Sequence, residues 1–425
     1  MNILLIGSGG REHAFSQKLT QSELCSKLFI LPGNAGTSQL GTNIAIDTND
    51  FVAIGNFCTD KKIELLVVGP EDPLVKGLRD FFESDPRLKE IAFVGPDATG
   101  AQLEGSKDWS KAFMEKYDIP TAAYKTFTDD TLEAGIDYVK NHSLPVVLKA
   151  DGLAAGKGVL ICESNTDAVK EIKLMIQDNK FGDAGSKVVV EAFLSGIELS
   201  VFVLTDGKNY KILPSAKDYK RIGEGDTGLN TGGMGAVSPV PFADAAFMQK
   251  VEERIIKPSI LGLQQEQIHY TGFIFIGLMK VNDDPIVIEY NCRMGDPETE
   301  VVLPLIKNDF VELMLATALG ELDKIELHID SQSAATVMLV SQGYPGDYEK
   351  GKRISGMELV TDSMLYHAGT RKNEMGEILS NGGRVMAVTS LGSDLKEALA
   401  LCMKNAVKIQ FENKYYRKDI GYEFI

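Results

Sequence analysis

A carboxylate, a carboxamide and a guanidinium occupy alternate positions just after an apolar, β-rich stretch. Glu289 ends the stretch, and Asn291 and Arg293 follow at intervals of two residues. Because alternate side chains of a strand point to the same face, the three groups should lie side by side. Hard oxygens suit Mg²⁺, and a guanidinium suits a carboxylate or phosphate. The segment indicates phosphoryl chemistry on an acidic substrate; the alternative is a strand followed by an ordinary polar turn.

A glycine turn follows the first apolar run of the chain. Gly9 and Gly10 precede Arg11 in a pattern close to the dinucleotide fingerprint, but Glu12 replaces its third glycine. That replacement disfavours a dinucleotide, because a side chain at this position should crowd the helix against the strand. Amide groups at a helix amino terminus still bind anions, and Arg11 adds a charge. We predict a phosphate site here; a tight turn without a ligand is the alternative.

A run of small residues, 150–158, follows a predicted strand that ends in Lys149. It is not a Walker A loop, because Gly158 stands where Ser or Thr is required after Lys157. Small residues such as Gly156 let backbone amides fold over a triphosphate, so we predict a flexible lid. Lys149 is predicted to reach a nucleotide phosphate; an exposed lysine on a mobile hairpin is the alternative.

Two further segments are candidates for binding. The predicted strand 187–193 carries an acid, Glu191, and an edge strand here could read adenine through its backbone while Glu198 accepts from ribose hydroxyls. A solvated edge strand explains this pattern equally well. The glycine-rich segment 223–235 is predicted to be a functional loop without regular structure, with a disordered surface loop as the alternative. Asp218 lies just upstream, among lysines and an arginine that could grip substrates.

Composition excludes several classes of partner. With 425 residues, 44% apolar and 24% charged, the chain predicts a soluble globular protein of roughly two to four domains. The net charge of −16 opposes binding to nucleic acid or an anionic membrane. No apolar run reaches the length of about 18 residues that a bilayer requires. The amino terminus reads as a buried strand without an export leader, and five separated cysteines indicate a reducing cytoplasm.

The apolar pattern predicts an α/β fold. Strands near 2–6, 28–31, 65–68 and 91–94 alternate with helices that begin near residues 11, 51 and 73, which indicates a doubly wound parallel sheet. The strands end in glycine or proline, and their loops should meet at the carboxyl edge where such sheets bind ligands. Further strands are predicted at 145–149, 271–281, 285–289, 334–340 and 384–388, with helices at 107–117 and 394–407.

These motifs together closely resemble the glycinamide ribonucleotide synthetase (phosphoribosylamine–glycine ligase) family of ATP-grasp enzymes. They stand in register across almost the whole chain, at residues 7–13, 32–37, 68–71, 102–107, 149–158, 226–235 and 293–298. The resemblance implies an amino-terminal substrate domain, an ATP-grasp domain with a mobile lid and a small carboxyl-terminal α+β domain. Their expected limits are 1–105, 106–325 with the lid at about 122–194, and 326–425. A free-standing, monomeric, cytoplasmic enzyme is expected.

The resemblance also implies a reaction and a set of site residues. ATP with Mg²⁺ or Mn²⁺ would phosphorylate glycine, and the amine of 5-phosphoribosylamine would attack the glycyl phosphate to give glycinamide ribonucleotide. The metal would bind Glu289 and Asn291, while Arg293 would contact the acyl phosphate or the substrate phosphate and Asp218 would orient an amine. ATP would contact Lys107, Lys149, Gly156, Lys157, Gly158, Glu191, Leu194 and Glu198. Phosphoribosylamine would contact Gly9, Gly10, Arg11, Glu12, Asn34, Glu71 and Arg293.

Several positions depart from the family pattern. The family commonly has an acid at Ile197, histidine at Tyr219, proline at Leu229 and phenylalanine at Met294. The segment 277–280 also lacks an acid found in many ATP-grasp enzymes, so Glu289 and Asn291 are expected to be the only side-chain metal ligands.

Two other classes of function remain open on the sequence. A nicotinamide dehydrogenase would use the amino-terminal sheet, but it needs the glycine that Glu12 replaces and leaves the metal motif without a role. An ATP-grasp carboxylase or a non-catalytic ATP sensor would keep the lid and metal motif, and a carboxylase would take bicarbonate in place of glycine.

Overall fold

The amino-terminal region forms a parallel sheet in a computed structural model that describes residues 1–153, 158–178, 180 and 185–425. Its five strands have the order β3-β2-β1-β4-β5. They are β1 (Asn2–Gly7), β2 (Lys27–Pro32), β3 (Thr42–Asn43), β4 (Leu65–Val68) and β5 (Ala92–Val94). The helices are α1 (Gly10–Thr20), α2 (Phe51–Lys61), α3 (Glu71–Val75) and α4 (Leu78–Ser84). The predicted doubly wound sheet is confirmed.

Helices cover both faces of this sheet, which explains its continuous apolar strands. Leu5 packs in one cluster with Phe15 of α1, whereas Leu4 packs in another with Ile54 of α2. Both leucines are fully buried. Burial of such a side chain contributes about 1.5–3 kcal/mol, so the sheet is a rigid base for the loops at its carboxyl edge.

The described central region contains two four-stranded antiparallel sheets, with strand orders β6-β9-β7-β8 and β11-β10-β16-β17. Its first part has α5 (Gln102–Gly105), α6 (Lys107–Lys116), β6 (Tyr124–Thr128), α7 (Leu132–Lys140), β7 (Val146–Ala150), β8 (Val159–Cys162), α8 (Asn165–Ile176) and β9 (Lys187–Ala192). Its second part has β10 (Ile197–Thr205), β11 (Tyr210–Ile212), β12 (Lys217–Asp218), β13 (Arg221–Gly223), β14 (Thr227–Asn230), β15 (Gly235–Ser238), α9 (Ala245–Val251), α10 (Lys257–Gln265), β16 (Gly272–Val281), β17 (Asp284–Asn291), α11 (Thr299–Val302) and α12 (Phe310–Leu319).

The carboxyl-terminal region completes a sheet that begins in the central region. Strands β12 and β15 continue into β18, giving the order β12-β15-β18-β22-β19, with β23 paired to β18. The elements are β18 (Ser333–Ser341), β19 (Met364–His367), β20 (Thr370–Lys372), β21 (Ile378–Ser380), β22 (Arg384–Gly392), α13 (Leu395–Ala406) and β23 (Lys414–Tyr415). The shared sheet places carboxyl-terminal side chains beside the glycine-rich segment. Within the described ranges, no helix is long and apolar enough to span a membrane.

The prediction that residues 223–235 lack regular structure is wrong. Strands β13 and β14 pair as a hairpin, and β15 joins the larger sheet. Gly225 and Gly228 have φ of +64° and +79°, a conformation that glycine adopts without steric cost. Arg417, fully buried, donates to Asp226 at 2.6 Å and to Asp419 at 2.8 and 2.9 Å. The glycines therefore shape turns, and a guanidinium fixes the hairpin.

Replacing Arg417 by methionine should lower the free energy of unfolding by about 2 kcal/mol. Removal of one partner from a buried ion pair costs more than this, but Asp226 and Asp419 are partly exposed and water offsets the loss. Denaturant unfolding monitored by circular dichroism measures the change. Lys418→Met is the matched control, since Lys418 is exposed, and equal stability of the two variants would contradict the anchoring role.

Candidate active site

The metal motif lies on β17 opposite a glycine of β16. Gly277 pairs in register with Glu289, and a β-carbon added to Gly277 would lie 3.1 Å from the Glu289 Cγ, so glycine leaves room for the carboxylate. Asn291 is buried on the same face, and its Nδ2 has no hydrogen-bond partner among the described residues. Across those residues there is no cluster of three or more His, Cys, Asp or Glu that could hold a metal. Two side-chain oxygens fit an ion that takes its other ligands from phosphate and water.

Arg293 lies next to the predicted metal ligands and is held by two carboxylates. Its Nε is 3.1 Å from Glu71 Oε2, and its Nη2 is 2.7 Å from Glu104 Oε1. The same Nη2 donates to Asn291 Oδ1 at 3.3 Å. Burial alone raises the pKa of Glu71, but Arg293 and Arg11 outweigh it and hold that pKa below its ordinary value. The structure thus brings together the residues predicted for metal, acyl phosphate and substrate.

Glu104 was not among the predicted site residues. It belongs to the motif at 102–107, but a single acid on a short helix gives no sequence signal for its contact with Arg293. Its side chain is 8% exposed, and it also accepts the Cys292 N–H at 2.9 Å. Burial raises its pKa even though Arg293 opposes the shift.

The glycine turn is occupied by the protein's own carboxylates. Gly9 N–H donates to Glu12 Oε2 at 2.6 Å, and Arg11 N–H approaches Asp296 Oδ2 at 3.5 Å. The Arg11 guanidinium is buried and pairs with Glu12 Oε1 at 2.6 Å. A phosphate that binds at this turn must therefore displace the Asp296 carboxylate or bind beside it. Of the predicted phosphate donors, Arg11 is already paired.

The expectation that Glu12 would crowd helix against strand is wrong. Gly7, at φ +128°, and Gly69 line the Glu12 side chain, and a β-carbon at either glycine would collide with it. In the fingerprint, the third glycine leaves room between the helix and the strand. Here Gly7 at the end of β1 and Gly69 just after β4 leave that room for the Glu12 side chain.

Asn34 joins the glycine turn to the carboxyl-terminal region. Its Nδ2 donates to Ser8 O at 2.8 Å and to His367 O at 2.7 Å. The His367 N–H in turn donates to His13 Nδ1 at 2.7 Å. Burial lowers the pKa of His13 to about 3 and that of His367 to about 4. Both histidines are neutral links between α1 and β19.

This histidine pair should make the protein less stable as pH falls below about 6.5. The unfolded chain takes up protons at the ordinary histidine pKa, whereas the folded chain resists until its lowered pKa values. The stability is therefore complete above pH 6.5 and is lost progressively toward pH 4, by up to about 1.4 kcal/mol per pH unit for each histidine. Chemical unfolding at several pH values measures the slope. His13→Gln should reduce it, and His142→Gln, a control at a partly exposed histidine elsewhere in the chain, should not.

The nucleotide side of the predicted site contains a buried lysine network. Lys149 Nζ lies 3.0 Å from Glu191 Oε1, and Lys111 Nζ lies 3.0 Å from Glu191 Oε2. Lys149 is 5% exposed, so the alternative of an exposed lysine on a mobile hairpin is wrong. Its ammonium also donates to Ile288 O at 3.0 Å, which directs it to the strand that bears the metal motif.

The prediction that Glu191 lies on an edge strand is wrong. Strand β9 pairs with β6 on one side and β7 on the other, and Glu191 is 3% exposed. Its carboxylate is committed to the two lysines, and β9 ends at Ala192. Backbone readout of a base from this strand would have to come from the segment after Ala192, where Leu194 is half-buried.

The lid is described only at its two ends. Strands β7 and β8 form the antiparallel pair predicted around it, and Ala150 N–H donates to Gly158 O at 2.8 Å. The predicted contacts of Gly156 and Lys157 lie outside the described residues. Lys107 reaches the base of the lid, where its Nζ donates to Gly152 O at 3.3 Å. Burial lowers the pKa of Lys107, and nearby Glu289 opposes that shift.

Lys220 lies among the predicted site residues. From the sequence it is one of several lysines and arginines near Asp218 that could bind substrates, without a role of its own. Its ammonium is 3.1 Å from Glu198 Oε2. Asp218 and Glu198 raise its pKa, whereas Lys220 lowers the pKa of Glu198. Asp218 has a raised pKa, because burial outweighs the nearby lysines. One ammonium therefore lies among carboxylates that include Glu289, next to the metal motif.

Tyr219 is explained by a contact with the end of the chain. The Tyr219 hydroxyl, fully buried, donates to Glu423 Oε2 at 2.7 Å, and Lys217 Nζ lies 3.2 Å from Glu423 Oε1. Among the other departures, Met294 is buried in the core, whereas Leu229 and Ile197 are exposed. Nothing in the structure explains the residue types at these last two positions.

The carboxyl-terminal region contributes Arg384, which the sequence did not identify. Its Nη1 donates to Gly232 O at 2.6 Å and to Asp296 O at 2.7 Å, and pairs with Asp296 Oδ1 at 3.0 Å. The residue links the glycine-rich segment to the loop after Arg293.

Comparison with known proteins identifies the family. The N, ATP-grasp (A) and C domains of phosphoribosylglycinamide synthetase match residues 1–104, 105–299 and 334–423. The chain belongs to the phosphoribosylglycinamide synthetase family. It is 44% identical over 430 residues to the phosphoribosylamine–glycine ligase of Haemophilus influenzae, covering 100% of this chain and 99% of the relative. It is 42% identical to the ligase of Pasteurella multocida, covering 100% and 98%.

Solved structures agree with this assignment. The crystal structure of phosphoribosylamine–glycine ligase from Thermotoga maritima matches at a TM-score of 0.84 and 35% identity, covering 99% of this chain and 100% of that one. Biotin carboxylase from Campylobacter jejuni matches at 0.73 but is only 15% identical, over 99% and 94% of the two chains. The second similarity shows the ATP-grasp fold alone.

Proposed function

We infer that this family member joins glycine to 5-phosphoribosylamine at the expense of ATP, giving glycinamide ribonucleotide, ADP and phosphate in purine biosynthesis. The observation that carries this inference is the 44% identity to a ligase of that name over the whole chain. A biotin carboxylase shares only the fold, at 15% identity, so that similarity gives no support to a carboxylase reaction. A dehydrogenase is disfavoured because Glu12 fills the turn that would hold a dinucleotide.

The reaction requires two substitutions. A glycine carboxylate oxygen attacks the γ-phosphorus of ATP, and the bond from that phosphorus to the ADP oxygen breaks. The amine of phosphoribosylamine then attacks the carbonyl carbon of the glycyl phosphate, the carbon–oxygen bond to phosphate breaks, and the nitrogen loses a proton. No nucleophilic side chain is needed, so the protein orients the reactants, offsets charge and excludes water.

Glu289 and Asn291 would hold Mg²⁺ or Mn²⁺ between the protein and the phosphates. The bound metal would offset phosphate charge and align the γ-phosphate for attack. Lys107 and Lys149 would bind nucleotide phosphates, as their positions at the base of the lid and beside β17 support. Glu198 would accept from the ribose hydroxyls, and Lys220 would keep it ionised. The rest of the predicted nucleotide set would complete the pocket: Gly156, Lys157, Gly158, Glu191 and Leu194.

Glu71 and Arg293 would form the acceptor side of the site. Glu71 is 29% exposed and ionised beside Arg293, so it is placed to accept from ribose hydroxyls or the amine of phosphoribosylamine. Asp218, with a raised pKa, would orient that amine. The glycine turn and Asn34 would bind the sugar phosphate, which requires Asp296 to move or share the turn.

The remaining properties of the enzyme follow the same proposal. We place the domain limits near residues 105 and 325; the matched family ranges meet at 104 and 105, and residues 300–333 lie between the second and third ranges. We propose a cytoplasmic, monomeric enzyme with small-molecule substrates and no nucleic-acid or membrane partner, since the net charge of −16 opposes polyanions.

ADP release by the purified protein with MgATP tests the function. Glycine and phosphoribosylamine, the latter formed in the assay from ribose 5-phosphate and ammonia, are added singly and together. Release that requires both, with glycinamide ribonucleotide detected by mass spectrometry, supports the proposal. Release driven by bicarbonate or by another amino acid would contradict it while leaving the family assignment in place.

A further inference from the structure

We propose that Glu104 is a positioning residue that fixes Arg293 and offsets its charge beside the metal site. The inference deepens the proposed function, because it depends on the roles given there to Arg293 and Asn291. Glu104 is not placed to touch a substrate: its side chain is 8% exposed, compared with 29% for Glu71.

The geometry shows why Glu104 fixes Arg293 better than Glu71 does. One carboxylate contacts both the Arg293 guanidinium and the backbone of the residue before it. Glu104 Oε1 is 2.7 Å from Nη2 of the guanidinium, and Oε2 accepts the N–H of Cys292, the preceding residue, at 2.9 Å. Glu104 therefore restrains both the strand end and the tip of the side chain. Glu71 contacts only Nε and is partly open to water, so a ligand can compete for it.

Charge gives Glu104 a second role. The Arg293 Nη2 is 3.3 Å from Asn291 Oδ1, the oxygen proposed to bind the metal. An uncompensated guanidinium at that distance would repel a divalent cation, and the repulsion is strong in a poorly solvated site. Two carboxylates leave this group of three residues with a net negative charge. The Glu104 carboxylate therefore permits an arginine and a metal to act on neighbouring oxygens.

The substitution Glu104→Gln removes the negative charge of the side chain and keeps its size. The amide oxygen can still accept the Cys292 N–H, and Arg293 keeps Glu71, so the variant should fold. We expect a kcat lowered about 10- to 100-fold and a half-saturating Mn²⁺ concentration raised about 10-fold. Mn²⁺ binding to the protein with a non-hydrolysable ATP analogue, followed by electron paramagnetic resonance, measures the second effect without turnover. Glu104→Asp keeps the charge and should bind Mn²⁺ like the wild type while losing part of kcat.

A double variant distinguishes positioning from a general structural effect. If Glu104 acts through Arg293, Glu104→Gln should lower kcat much less in an Arg293→Lys background than in the wild type. Glu83→Gln is the control, since Glu83 pairs with Arg79 at 2.7 Å in another part of the molecule. Unchanged kcat and Mn²⁺ binding in Glu104→Gln, or an equal loss in both backgrounds, would overturn the inference. Failure of the wild type to use glycine would instead overturn the proposed function.

Discussion

Replacing Glu289 by glutamine should lower kcat for ADP release by about 10²- to 10³-fold, one of the two largest effects we expect. The substitution keeps the size of the side chain but removes the only carboxylate among the two proposed metal ligands. A neutral amide oxygen binds Mg²⁺ more weakly, and the phosphate charge that develops during transfer is then less well offset. Initial rates at saturating MgATP measure the effect, and Mn²⁺ binding should weaken in parallel.

The fold should tolerate this change, which makes the result interpretable. Within the described residues, the Glu289 side chain makes no hydrogen bond and no ion pair within 4 Å, and Gly277 leaves room beside it. Asp284→Asn is the matched control, because Asp284 begins the same strand and its ion pairs in the described part of the chain are with the exposed side chains of a lysine and an arginine. A Glu289→Gln enzyme with near wild-type kcat would remove the carboxylate from the proposed metal site.

Sequence patterns predict those parts of the fold that depend on local periodicity. Residues 3–6 of β1 and all of β4 are apolar because both faces of the sheet are covered, and the predicted limits of β4 agree with the structure at both ends. The placement of Glu289 and Asn291 on one face also follows from the two-residue period of a strand. Arg293 lies two residues past the end of that strand, and its contact with Asn291 shows that it still lies beside the pair.

The errors occur where distant segments decide the outcome. The acid Glu191 within an apolar strand suggests an edge strand, but β6 and β7 flank its strand and two buried lysines hold its carboxylate. The room for Glu12 comes from Gly69, a residue far along the chain. Arg384 reaches Asp296 from another region. No local pattern records such contacts, because each depends on how the sheets are assembled.

Replacing Arg293 by lysine should lower kcat about 10²-fold although the positive charge is kept. A guanidinium offers a planar fork whose Nε and Nη2 reach Glu71 and Glu104 together, at 3.1 and 2.7 Å. An ammonium is a single point of charge and cannot hold both carboxylates while it faces a phosphate. Methionine at this position should be more damaging still, because Glu104 would lose its ion-pair partner, Glu71 would keep only the influence of Arg11, and the fold would lose stability.

Steady-state kinetics of Arg293→Lys also decide which substrate the arginine touches. If it binds the acyl phosphate, the contact exists only during transfer, so kcat falls and KM values stay close to those of the wild type. If it binds the phosphate of phosphoribosylamine, the KM for that substrate rises instead. Arg254→Lys is the control, because Arg254 makes an exposed ion pair with Asp284 at 2.9 Å. Unchanged kcat and KM would exclude Arg293 from both roles. Glu71 and Glu104 would then serve only to neutralise the charge of a structural arginine.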